Sequence, residues 1–159
     1  MAKNALQEGD RIPDFSLLNQ DAELVAIKDR LGKGPLVIYF YPKDETRICT
    51  AEACSFRDSY EEFQDAGADV IGISFDSPEK HKRFAEKYRL PFTLLSDSKK
   101  EVLKAFGAPS LFFGFLAGRI TYVVDAEGII RHIYHANRQA SQHVDEAINS
   151  IRSLQKQEG

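Results

Sequence analysis

From Leu36 to Tyr41 the residues are all apolar or aromatic, with no polar break, and Pro42 ends the run. Such a run fits a strand covered on both faces, because a strand with one wet face alternates. A chain built around it needs one layer above the sheet and another below. Val70 to Ser74 is a second short apolar strand. Between the two, Ala53, Phe56, Tyr60 and Phe63 recur at steps of three and four. That spacing predicts a helix, stopped by Gly67.

Further along, Ser77-Pro78 opens a second helix with Phe84, Ala85 and Tyr88 inward and Pro91 just beyond its end. Phe92 to Leu95 reads as a strand. Ser98 and Glu101 form a capping box for a helix running to Phe106 and stopped by Gly107. Arg119 to Val124 and Ile129 to Tyr134 are strands joined through Asp125 to Gly128, a hairpin-type connection. Val144, Ala147, Ile148, Ile151 and Leu154 mark a closing amphipathic helix.

Strand, helix, strand, helix, hairpin and closing helix is the order of the thioredoxin fold. Here an extra strand and helix precede the hairpin, and residues 1–35 precede the first strand. Phe15 to Leu18 and Leu24 to Ile27 fit an antiparallel hairpin in that early segment. The expected class is therefore α/β: a thioredoxin-like mixed central sheet flanked by helices, with an N-terminal β-hairpin extension. Local pattern leaves the strand order open.

At 159 residues the chain is long enough for one domain with a core and short for two, so residues 1–159 read as a single domain. Its 43% hydrophobic and 28% charged content is ordinary for a soluble protein. A net charge of -3 offers no basic field for nucleic acid and is too mild for an acidic interaction tail. No apolar run approaches the roughly 20 residues of a membrane span, and Met1 to Asp10 lacks the apolar centre of a secretory signal. Nor are two cysteines, five positions apart, a disulfide scaffold. A reducing compartment fits, and there a close cysteine pair is more often chemical than structural.

The chemistry lies between Tyr39 and Cys54. A buried strand ends at Pro42, a polar loop follows, and Cys49 enters the first turn of a helix. Free amides and the dipole at a helix start favour a thiolate over a thiol. On that helix Cys49 shares a face with Ala53 and Phe56, so it points to the core side, at the floor of a narrow pocket. Cys54 lies about 100° round from the inward face. Five helical residues separate two Cα atoms by roughly 8.7 Å, whereas a disulfide needs about 7 Å or less. The two cysteines can bond only if the first turns unwind.

Taken alone, each cysteine also reads as a small core hydrophobe. Zinc fits poorly: the histidines are scattered, and His132 and His135 point to opposite faces of a strand. Cys-x4-Cys is also not the Cys-x2-Cys of thioredoxin-type exchange sites.

In this stretch the chain resembles the peroxiredoxins. Pro42, Thr46 and Cys49 fit the signature Pro-x3-Thr-x2-Cys, and Cys54 stands where the bacterioferritin-comigratory-protein, or PrxQ, subfamily carries its resolving cysteine. Gly9-Asp10, Pro13 to Phe15, Phe40 to Lys43, Gly72 to Ser74 and Leu94 to Asp97 look like further subfamily landmarks. Gly118 to Asp125 resembles the segment that bears the family's active-site arginine, and the apolar loop Leu111 to Leu116 resembles the short loop of the plastid and cyanobacterial branch. Arg47-Ile48 replaces the subfamily's usual Pro-Gly.

The resemblance implies a thiol-dependent peroxidase acting on hydrogen peroxide and organic hydroperoxides, with no metal or organic cofactor. Cys49 would be the peroxidatic nucleophile, and Cys54 the resolving partner in an intramolecular disulfide. Arg119 would stabilise the thiolate and the charge developing on the peroxide. The Thr46 hydroxyl would bond thiolate and peroxide, and Pro42 would shield the site. Thioredoxin or a similar dithiol would be the reductant. The expected state is a monomer in the cytoplasm, or alternatively a mature form in the plastid stroma or at the thylakoid. Intact Thr46, Cys49 and Arg119 argue against a binding module that has lost its chemistry. A dithiol exchange protein or redox sensor could use the same cysteines, and peroxide turnover separates it from the enzyme. Glu52, one turn from Cys49, could orient Arg119, although an exposed helix-face carboxylate is the expectation. Tyr39 and Tyr41 read as wall or core aromatics, and every histidine as a solvated surface residue.

Overall fold

Strand β3 (Leu36–Phe40) is buried at every residue and lies inside a seven-stranded sheet, between two other strands. The computed structural model describes residues 5–111, 113–136 and 140–158, so Phe112 of the apolar loop lies outside the described residues. β4 (Asp69–Ser74) pairs parallel with β3, and β5 (Thr93–Ser96) pairs parallel with β4. On the other side of β3 lies antiparallel β8 (Ile120–Val124), followed by β9 (Ile130–His135). The early hairpin, β1 (Ser16–Asn19) and β2 (Leu24–Ala26), joins the sheet through β1 against β5. The order is β2-β1-β5-β4-β3-β8-β9, a mixed sheet. Ile27 begins a short 3-10 turn, Ile27–Arg30, instead of extending β2.

Strand alternation sorts the core into two halves. Val37, Tyr39 and Tyr41 face one cluster, while Leu36, Ile38 and Phe40 face the other. The first cluster is closed by α1 (Arg47–Asp58), α3 (Pro78–Tyr88) and α5 (Ala140–Glu158) through Phe56, Phe84, Val144, Ala147 and Ile151. The second is closed by α4 (Glu101–Phe106) and the N-terminal segment, through Phe106 and Ile12. Full burial of each large apolar side chain stabilises the fold by roughly 1.5–3 kcal/mol. Gly72, the register partner of Tyr39, lets that ring lie flat on the sheet. A Cβ there would come 2.9 Å from Tyr39 Cζ.

Two local expectations are corrected. The helix after Cys49 is interrupted at Ser59, giving α1 and a short α2 (Tyr60–Asp65), after which Gly67 turns the chain with φ +78°. Ser98 does not cap α4. Lys100 adopts a left-handed conformation that brings the Asp97 carboxylate to the helix start, where it accepts from the amides of Val102 (3.1 Å) and Leu103 (2.9 Å). Ser77 does cap α3, accepting from Lys80 N at 3.3 Å with Pro78 behind it. A minor hairpin, β6 (Ser110–Leu111) with β7 (Leu116–Ala117), holds the ends of the apolar loop.

Candidate active site

The loop from β3 to α1 is pinned before it reaches the helix. Tyr41 Oη donates to Asp44 Oδ1 at 2.5 Å, and the Asp44 amide donates to Asp76 Oδ2 at 2.8 Å. His81 Nδ1 lies 2.6 Å from Asp44 Oδ2, and its Nε2 donates to the Leu95 carbonyl at 3.0 Å. Pro42 stands half-buried at the exit of β3. Thr46 occupies the N-cap position of α1 with extended backbone. Its hydroxyl donates to the Lys43 carbonyl at 2.9 Å, not to Cys49, so here it closes the loop.

Cys49 is the third residue of α1 and 1% exposed. There the amides of the first turn lack intrahelical acceptors, and the dipole favours an anion. Arg119 approaches from the segment between β7 and β8, where Gly118 is held by its amide against the Pro109 carbonyl at 2.8 Å. The guanidinium is forked: Nη2 donates to Cys49 Sγ at 3.2 Å, and Nη1 to Glu52 Oε1 at 2.5 Å. Burial opposes the charge of Arg119, but the adjacent Glu52 and Cys49 outweigh it and keep the group protonated.

Glu52 is wholly buried, against the expectation of an exposed carboxylate. Burial pushes its carboxyl up to about 7, and Arg119 only partly offsets that. Its second oxygen, Oε2, has no hydrogen-bond partner among the described residues and lies 3.6 Å from His143 Nδ1. His143 Nε2 donates to the Ala136 carbonyl at 2.7 Å, and Thr121 Oγ1 lies 2.8 Å from Nδ1. Burial drives the imidazole down to about 4, Arg119 acting in the same direction. Neutral His143 therefore carries its hydrogen on Nε2 and accepts the Thr121 hydroxyl proton at Nδ1.

His81 and His143 are both fully buried, which corrects the expectation of surface histidines. Both lie on inward helical stripes, and that periodicity was the signal for them. His132 is half-buried and paired with Glu146 of α5 at 2.8 Å, and His135 is exposed. Tyr39 is a core aromatic as expected, stacked on Phe56 at 4.5 Å. Cys54 is half-buried on the same unbroken α1 as Cys49, and both thiols are free. The arrangement thus joins Cys49, Arg119 and Glu52 directly, places Thr46 and Pro42 on the entering loop, and leaves Cys54 a turn and a half away. It can hold a thiolate in a buried, cationic setting. No helix among the described residues is long and apolar enough to cross a membrane.

Comparison with known proteins bears on the family and the fold. The AhpC/TSA family model matches residues 8–133. A chloroplastic peroxiredoxin Q of Populus jackii is 49% identical over 94% of this chain and 70% of its own length. That of Sedum lineare is 50% identical over 92% of this chain and 78% of its own. Among solved structures, peroxidoxin BcpB from Mycobacterium tuberculosis superposes with a TM-score of 0.88 at 34% identity, covering 94% of this chain and 98% of that one. Peroxiredoxin Q of Xanthomonas campestris reaches a TM-score of 0.80 at 28% identity, covering 87% and 90%.

Proposed function

Since the chain belongs to the AhpC/TSA family and is a thiol-dependent peroxidase of the peroxiredoxin Q kind, we propose that it reduces hydrogen peroxide and organic hydroperoxides at Cys49 and closes its cycle through Cys54. The observation that carries this reading is the 3.2 Å contact from Arg119 Nη2 to Cys49 Sγ at the start of α1. The Cys49 thiolate attacks the distal peroxide oxygen: the S–O bond forms, the O–O bond breaks, and its electron pair leaves with the alkoxide or hydroxide, which takes up a proton. Arg119 offers fixed donors to the charge that moves onto those oxygens. With its own proton held by Lys43, the Thr46 hydroxyl presents lone pairs to an incoming peroxide O–H. Pro42 walls the entrance.

Cys54 then attacks the sulfenic sulfur, forming the S–S bond and releasing water. A dithiol reductant, thioredoxin or one like it, returns two electrons and two protons. Organic hydroperoxides are included because one study of the Xanthomonas campestris bacterioferritin comigratory protein concerns alkyl peroxide reduction. The chloroplastic naming of the relatives favours the plastid over the cytoplasm. The proposed working unit is a monomer, in which one chain supplies Cys49, Cys54, Thr46 and Arg119.

Stopped-flow reaction of the reduced protein with hydrogen peroxide and cumene hydroperoxide tests the reading. Cys49→Ser removes the thiolate and abolishes the reaction. Retention of most of the rate in that variant overturns the assignment.

A further inference from the structure

Among the described residues, two acidic groups, Cys49 and Glu52, meet one guanidinium in the buried pocket at Arg119. Cys49 Sγ and Glu52 Oε1 bind the two ends of one guanidinium, at 3.2 and 2.5 Å. If both are ionised, two negative charges share one positive charge out of water, an arrangement in which one acid normally keeps its proton. The neighbouring groups decide which. Glu52 Oε2 is fully buried and lacks a donor among the described residues, and the ring atom facing it at 3.6 Å is the lone-pair nitrogen of His143. A carboxylate there faces a lone pair. A carboxylic acid there faces an acceptor, one it would share with the Thr121 hydroxyl 2.8 Å from the same nitrogen.

None of the other described groups around this point supplies the missing donor. Tyr39 Oη, from β3, is also buried without a partner among the described residues. Its phenol is raised well above its ordinary range, by burial first and then by Glu52, Asp44 and Cys49, so it stays neutral. Thr121, from β8, spends its hydroxyl on His143 Nδ1. His143, from α5, spends its only N–H on Ala136.

We propose that Cys49 and Glu52 share one proton, that His143 is a positioning residue that favours it on Glu52 when Cys49 is the thiolate, and that Thr121, bonded to the same ring nitrogen, works against that placement. The proposal rests on Cys49 as the nucleophile. Forming the thiolate breaks the S–H bond of Cys49 and makes an O–H bond on Glu52 Oε2, directed at His143 Nδ1. No electrons move between groups. Of the two acids on the Arg119 fork, only the thiolate is then an anion. The Thr121 hydroxyl competes with Glu52 for the single lone pair of Nδ1, which sets how firmly the proton is held.

The test reads thiolate formation with no peroxide present, so its failure is distinct from failure of the peroxidase reading. Thiolate absorbance is titrated in the Cys54→Ser background, where only Cys49 contributes. Glu52→Gln keeps an oxygen for Arg119 and an amide donor for His143 while removing the competing charge. The thiolate should then appear about one pH unit lower and titrate as a single step. Thr121→Val, which frees Nδ1 for the Glu52 O–H, should shift it in the same direction. In the reduced unsubstituted protein at neutral pH, infrared spectroscopy should find a protonated-carboxyl C=O band that Glu52→Gln removes. If the band is absent, or if Glu52→Gln raises or fails to move the thiolate midpoint, Glu52 is a permanent anion that only holds Arg119 and the proposal is wrong.

Discussion

Asp44 and His81 meet at 2.6 Å in the interior, tying the loop that leads to Cys49 onto α3. One proton lies between Nδ1 and Oδ2, while Nε2 is committed to the Leu95 carbonyl at 3.0 Å. The pair is desolvated, His81 being 0% and Asp44 7% exposed. Removing one partner leaves the other buried without a counterpart, which typically costs about 3–5 kcal/mol. Asp44→Ala should therefore lower the unfolding free energy by about that amount in urea titration, and raise amide exchange at Thr46 and Arg47. A loss below about 1 kcal/mol would place the pair among the weak ones.

Arg119 is the cation that touches the sulfur, through the 3.2 Å bond from Nη2. Arg119→Ala should slow the peroxide reaction on the order of 100-fold, the usual scale for one charge-assisted donor in a buried site. Arg119→Lys restores charge but not the fork that spans Cys49 and Glu52, so it should recover only part of the rate. An unchanged rate constant in Arg119→Ala would make the residue purely structural. Stopped-flow traces at a fixed pH decide it.

Glu52 and His143 make opposite contributions to the pH dependence of stability. Burial raises the Glu52 carboxyl from its usual 4.5 to about 7, so the folded state binds the extra proton between those values and stability falls as pH rises there. Burial lowers His143 from 6.5 to about 4, so the unfolded state binds the extra proton in that range and stability rises with pH. From about pH 4.5 to 6.5 each state holds one proton, on Glu52 when folded and on the histidine when unfolded, and the two slopes cancel. Glu52→Gln removes one slope. Its unfolding free energy should climb by about 1.4 kcal/mol per pH unit across that window, relative to the unsubstituted protein. Parallel curves for the two proteins would refute the opposed titrations.

The backbone plan was legible because it rests on period. The unbroken run at Leu36 did mark the strand with both faces covered, and Ser77-Pro78 did open α3. Strand order was not legible, since pairing β1 with β5 depends on contacts 78 residues apart at Leu18↔Ser96. The β6–β7 hairpin, with two-residue strands, carries no alternation to read. At the site the misses share one cause. Glu52 sits on the stripe of Cys49, Ala53 and Phe56; His81 on that of Phe84, Ala85 and Tyr88; His143 beside Val144 and Ala147. At all three, polarity and position point opposite ways, and a buried polar group on an inward stripe needs only a partner. Those partners, Arg119, Asp44 and Thr121, come from distant elements.

The remaining prediction concerns Cys54 and follows from α1 being unbroken from Arg47 to Asp58. Five helical residues hold the two Cα atoms roughly 8.7 Å apart, beyond the reach of a disulfide. Oxidation must therefore unwind the first turns of α1, breaking the hydrogen bond that the Thr50 N–H donates to the Thr46 carbonyl, 2.8 Å in the reduced form. The far end is better held: Phe56 is fully buried against Tyr39, and Arg57 Nη1 donates to the Tyr88 carbonyl at 2.7 Å. Amide exchange should consequently rise from about Thr46 to Phe56 on oxidation, while β3 and β4 stay protected. Cys54→Ser should leave the first attack nearly intact but stop turnover with thioredoxin, and its Cys49 sulfenic acid should pass on to sulfinic acid because no thiol captures it. Mass spectrometry of the peroxide-treated protein should find the Cys49–Cys54 bond within monomers. Only intermolecular bonds, or an exchange pattern in α1 that oxidation leaves unchanged, would require a cycle without local unwinding.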